Sequence, residues 1–175
     1  MIQLNELLLE EIRYEGDNTR KMLKAIPDGQ FSWKPHERSS ALSKLASHVA
    51  ELPQFVGKIL AVDEMDMATD ALDRRICETS EELLSYYGEK LAGALEAIKV
   101  ATNEQLMQQW LFRRGEHVIL KGSRYNAIRS FMLNHNIHHR GQLSVYLRLL
   151  DVPVPGIYGP SADDHIARQK AANAS

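Results

Sequence analysis

The stretch LNHNIHHRGQLSVYL, running from Leu133 to Leu147, places His135, His138 and His139 in a segment that otherwise has the period of an apolar helix. Followed outward, Ile128, Met132, His135, His139, Gln142, Tyr146 and Leu149 form one stripe with 4-3-4-3 spacing. The stripe is apolar at both ends and polar in the middle. A seam of that spacing belongs against other helices, so it predicts an all-α fold and a search for partner helices. The helix that carries it is predicted from about Tyr125 or Asn126 to Leu150.

Three partners are readable. The first spans about Leu4 to Ile26, with Leu4, Leu7 or Leu8, Ile12, Met22, Leu23 and Ile26 as core candidates; Pro27, Gly29 and Pro35 end it. The second starts near Ser39 or Ser40, both good N-caps, and reaches about Val62 through Leu42, Leu45, Val49, Leu52, Val56 and Ile59. Within it Pro53 lacks a backbone donor and should kink the rod. The third is announced by Thr79 and Glu82 in capping-box register and continues through Leu83, Tyr87, Leu91, Leu95 and Ile98. Helices of roughly 20 to 25 residues, each about 30 Å or a little longer, make a four-helix bundle with long connectors. Residues 63–78 show no period, and "WLFRRGEHVILKG" reads as a loop or small hairpin around Arg114-Gly115. "DVPVPGIYGPSADD" closes a single domain over residues 1–164, leaving 165–175 as a mobile tail.

Composition narrows the function. The 175 residues suit one domain, and 21 Lys+Arg against 23 Asp+Glu give a net charge of −2. No basic field is available for a nucleic-acid backbone. One cysteine, Cys77, permits no internal disulfide and fits a reducing compartment. No apolar run approaches the roughly 20 residues of a membrane span, and the N-terminal segment carries acids where a signal peptide carries bases. A cytoplasmic protein without membrane or direct nucleic-acid contact is predicted.

His135 and His139, four residues apart, leave their helix on one face and can converge on one ion. His138, three from His135, is an alternative member of the pair, though it lies on a neighbouring stripe with Asn134, Gly141 and Val145. Two imidazoles make a weak site. His48, between Leu45 and Leu52 in the middle of the second helix, is the candidate third donor. Three neutral imidazoles suit Zn²⁺, Ni²⁺ or Fe²⁺ and leave a position open, as working sites do. The competing reading is that the histidines are core residues satisfied by hydrogen bonds. Gln142 and Tyr146 are candidates to orient a substrate, Asn134 to fix a histidine tautomer. Glu51, one turn from His48, sits on the flank, and no glutamate stands between the fourth-helix histidines as in HExxH. That absence weighs against hydrolysis, which wants a base beside its water. Cys77 has Arg74 and Arg75 close by but no acid–base partner. Arg140, about 100° around the helix from His139, is predicted to form a structural ion pair or a dimer contact, and Gly141 to permit close helix approach. His36, His117 and His165 fall in loops or the tail.

The segments "FSWKPHERSSALSKLASHVAEL" and "NHNIHHRGQLSVYLRLLDVPVPGIYGPSADD", with the spacing between them, resemble the DinB superfamily of metal-binding four-helix bundles. The likeness runs from about Phe31 to Asp164. It rests on an aromatic-x-x-Pro connector, one histidine in the second helix, HxxxHRGQLxxYLR in the fourth, and a VPxxYGPS exit. It implies up-down-down-up wiring, a homodimer, and a divalent metal, zinc or nickel foremost, held by His48, His135 and His139, with His138 outside the ligand set. It also implies a possible role as an S-transferase or isomerase that uses a low-molecular-weight thiol. A metal-dependent hydrolase and a non-catalytic metal-binding stress protein are the alternatives.

Overall fold

A computed structural model describes residues 2–174. Helix α1, Leu4–Lys24, buries Leu8, Ile12, Met22 and Leu23, while Leu7 faces out. Its middle is unusual: Glu15, Gly16, Asn18 and Thr19 are buried as well, so a polar layer interrupts the apolar face.

The predicted second helix is two. Helix α2 covers Leu42–Glu51 and α3 covers Gln54–Ala61. Leu52 and Pro53 between them keep helical dihedrals (φ −55°, ψ −36° and φ −58°, ψ −24°), but the hydrogen bonding tightens there. Phe55 N–H bonds the Leu52 carbonyl at 3.1 Å and Val56 N–H the Pro53 carbonyl at 3.1 Å. Pro53 thus interrupts the rod without ending it, because a missing donor removes a rung but leaves φ permissive. Neither Ser39 nor Ser40 caps α2. The cap residue is Ala41, which offers no side-chain acceptor, and the connector supplies the missing partners. Leu42 N–H bonds the Trp33 carbonyl and Ser43 N–H the Phe31 carbonyl, each at 2.8 Å.

Helix α4, Ser80–Lys99, begins at the predicted Thr79 cap, whose side chain accepts from Glu82 N–H. The return bond goes one residue further back, with Glu82 Oε2 accepting from Glu78 N–H at 3.0 Å. Helix α1 packs on α4 and on α7, His135–Leu149; α2 packs on the same two; α3 runs along α4.

The fold is not all-α. Strand β1, Glu64–Asp66, pairs in parallel with β2, Gln109–Arg114, and β2 pairs antiparallel with β3, His117–Ser123, in the order β1-β2-β3. The β2–β3 hairpin turns at Gly115, whose φ of +58° suits glycine. Alternation explains why this stretch is a strand: Trp110 and Phe112 are buried, while Leu111 and Arg113 face outward. Those rings join the core, with Phe112 against Phe131 at 4.2 Å between centroids and Phe55 at 6.4 Å.

Short helices α5, Asn103–Met107, and α6, Arg124–Ala127, flank the hairpin. From α6 the chain continues without a break through a π-helical segment, Ile128–Asn134, into α7, His135–Leu149. Close helix approach occurs at Gly16, where a Cβ would lie 2.9 Å from Leu91, and not at Gly141, which faces open space. Beyond the exit loop, residues read as a tail are helical: α8, Ala162–Asn173, is capped by a reciprocal Ser161–Asp164 box and buries none of its residues. Among the described residues no helix is long and apolar enough to cross a membrane.

Candidate metal centre

The structure brings His48 from α2 together with His135 and His139 from α7. One ring nitrogen from each lies within 4.8 Å of the other two, and His48 Nε2 is 3.4 Å from His135 Nε2. Ring centroids are separated by 5.1, 4.7 and 4.6 Å for the three pairs. Two nitrogens each about 2.0 to 2.1 Å from one tetrahedral ion would stand about 3.4 Å apart, so the His48–His135 separation fits a shared cation. His138 is exposed, its ring 4.9 Å from that of His139, and it is not one of the three.

What lies behind the rings decides the chemistry. His48 Nδ1 is 2.8 Å from Glu51 Oε1, and a carboxylate only accepts, so Nδ1 carries the proton. His139 Nδ1 donates in the same way to Gln142 Oε1 at 2.7 Å. The ring of His135 bonds the backbone of Phe131. Since its Nε2 faces His48, the proton belongs on Nδ1. Each Nε2 is therefore a lone pair, and lone pairs that meet with no proton between them repel. A cation at their meeting point removes the repulsion. A core histidine satisfied by hydrogen bonds would not need this arrangement, which is the one that outer-layer acceptors impose on metal-binding imidazoles.

Burial favours the neutral form of His135 and His139. Burial, then the neighbouring His139 and His48, pushes His135 down to about 4. Burial also lowers His139, against the opposing pull of its Gln142 bond. In metal-free protein the unfolded chain therefore binds more protons at His135 than the folded chain between pH 6.5 and about 4. The stability this contributes is complete above pH 6.5, falls as pH drops through that window, and levels off below it. Urea midpoints of chelator-treated protein should show the decline, and His135→Gln should flatten that component.

Glu51 is 4% exposed, with Arg74 Nε 3.7 Å from the same carboxylate oxygen that holds His48. Its sequence position, three after His48, carried the signal for an orienting role. Glu51→Gln should weaken metal binding roughly tenfold, at the low end of what loss of such a partner costs. A competition titration against a chelator reads this directly, with helical circular dichroism unchanged.

The predicted tautomer-fixing Asn134 is exposed; the neighbour that matters is Asn136. Buried on α7, Asn136 donates to the Val49 carbonyl at 3.2 Å and accepts from the Thr19 hydroxyl at 2.7 Å. Val49 follows His48 and Asn136 follows His135, so this strut ties the two histidine-bearing helices beside the site. Behind it Arg140 donates to Thr19 Oγ1 and to the Glu15 carbonyl, each at 3.1 Å, and pairs with the Glu15 carboxylate at 2.6 Å. The Tyr158 hydroxyl from the exit loop donates to Glu15 at 2.9 Å and accepts from Arg140 at 2.5 Å. Arg140 thus forms the expected ion pair.

A cleft of about 620 Å³ opens on His48 and His139. Gln142 and Tyr146 line it, as their stripe positions predict, but each also has a structural bond: Gln142 to His139, and the Tyr146 hydroxyl to the Ser40 carbonyl at 3.0 Å. Trp33 meets Tyr146 edge-on at 5.6 Å. Cys77 is buried, and burial pushes its thiol up, so it is inert. Arg75 is committed to Asp73, and Arg74 approaches Glu51.

Residues 1–170 match the profile of the DinB family. The uncharacterized protein YrdA of Bacillus subtilis (strain 168) is 23% identical over 164 residues, covering 94% of this chain and 93% of that protein. Among solved structures, a DinB-like protein from Bacillus cereus ATCC 10987 superposes with a TM-score of 0.68 at 20% identity, over 86% of this chain and 95% of the other. The DinB-like protein YjoA of Bacillus subtilis gives 0.63 at 19% identity, over 84% and 96%. These likenesses concern the fold.

Proposed function

The chain belongs to the DinB family, and we propose from that premise that it is a divalent-metal enzyme that transfers groups to or from a low-molecular-weight thiol. The observation that carries the proposal is the convergence of three imidazole rings, drawn from two helices, two of which line an open cleft. His48, His135 and His139 would hold the ion, and an all-nitrogen neutral set suits Zn²⁺ or Ni²⁺, with Fe²⁺ also accommodated. A bound divalent cation supplies a Lewis acid that keeps a thiol ionised near neutral pH.

The protein's own groups prepare that chemistry. Glu51, Gln142 and the Phe131 backbone hold the three rings in one tautomer. Leu45 and Tyr146 give the cleft an apolar wall. No carboxylate lines it among the described residues. Glu51, the nearest candidate base, is already bonded to His48. Hydrolysis would need a group to take a proton from water, so the lining favours a transferase over a hydrolase. The proposal extends to up-down-down-up wiring of the four long helical rods and to a homodimer, both implied by the family resemblance.

Metal-loaded protein assayed with small thiols and electrophilic co-substrates should show metal-dependent S-transfer that disappears in His48→Ala. Ester hydrolysis independent of thiol would replace the proposal with a hydrolase. Metal binding without turnover across the panel would replace it with a non-catalytic metal protein.

A further inference from the structure

We infer that the cleft beside the three histidines takes a small ligand with an anionic group, which Lys44 holds while the other end of the ligand reaches the metal. The inference rests on reading the histidines as a metal centre and adds the ligand class. Lys44 and His48 are four residues apart on α2, so their side chains share a helix face about 6 Å apart at Cβ. Both line the same cleft, Lys44 near the start of α2 and His48 further along it.

Lys44 is the only lining residue with a fixed charge. It is exposed, and among the described residues its ammonium has neither an ion pair nor a hydrogen bond. The arginines and acids nearer the site are by contrast engaged: Glu51 with His48 and Arg74, Arg140 with Glu15. The same cleft is lined by Leu45, Tyr146 and Val145, the last 57% exposed. The hydroxyl-bearing Ser39 and Ser40 stand at the lysine end. A single cleft lined by two of the three histidines, by apolar side chains and by one unpaired cation fits a short aliphatic chain with a donor atom at one end and a carboxylate or similar anion at the other.

Cobalt-loaded protein provides the test, with 3-mercaptopropionate and its neutral amide as probes of equal length. Visible cobalt bands before thiol is added establish the metal centre independently. Thiol binding is then followed by the near-ultraviolet sulfur-to-cobalt band. The acid should bind at least tenfold more tightly than the amide, and added salt should reduce the difference. Lys44→Gln should remove most of that preference with the starting cobalt spectrum unchanged, and Lys44→Arg should restore it. Equal affinity of the two probes, failure of the acid to bind, or a preference that survives Lys44→Gln overturns the inference while leaving the metal centre standing. Absence of cobalt bands at the outset overturns both.

Discussion

His48→Ala protein is expected to fold and to lose its metal. The substitution removes one of three converging nitrogens and leaves His135 and His139 as an i, i+4 pair on one helix. Loss of a mere hydrogen-bond partner behind a metal ligand costs about 10 to 100-fold in affinity, so loss of the ligand should exceed about 100-fold. The fold should survive because His48 is only partly buried, on a helix whose apolar face is carried by Leu42, Leu45, Val49 and Leu52. Isothermal titration with Zn²⁺ or Ni²⁺ measures the loss, and circular dichroism measures the fold. His138→Ala is the matched control: it stands next to His139 but outside the triad, and its affinity should equal that of the parent.

Arg140→Met should cause the largest loss of stability of any single change near the site. Arg140 and Glu15 are 3% and 10% exposed at their side chains, and the arginine also feeds Thr19, the Glu15 carbonyl and Tyr158. Removing one partner strands the other charge away from water, which costs about 3 to 5 kcal/mol. For a domain of this size that lowers the melting temperature by about 6 to 20 °C. Pairing the change with Glu15→Gln should recover part of the loss, since no buried charge is then left alone. Tyr158→Phe alone should cost only about 1 kcal/mol, the net worth of a hydrogen bond. Metal affinity should fall far less than in His48→Ala, because Asn136 still bridges to Val49.

Most of the site was legible because it is periodic. The stripe from Ile128 to Leu149 forces His135 and His139 onto one face, and His48, one position off the seam of α2, was the candidate third donor that the family resemblance also implied; the structure brings the three together. What surrounds them was harder to read. Glu51 was visible one turn from His48 but read as flanking, since its bond depends on the orientation of the His48 ring, and Asn136 acts through a bond to a different helix. The π-helical turn before His135 has no marker residue. The sheet escaped an all-α reading for two reasons. Strand β1 is three residues long and pairs across more than 40 residues of chain, and the β2–β3 hairpin was weighed against a loop. The capping of α2 by connector carbonyls is likewise a tertiary event. The Ser161–Asp164 box that starts α8 was present in the sequence as a Ser-x-x-Asp pattern and went unread because no apolar stripe follows it.

X-ray absorption at the zinc or nickel edge of protein loaded with one equivalent of metal tests the central claim most directly. The account predicts three imidazole nitrogens in the first shell, at about 2.0 to 2.1 Å for zinc, with a further light atom, and two imidazoles in His48→Ala. A shell with two or fewer imidazoles in the parent protein, or one unchanged by His48→Ala, would contradict it.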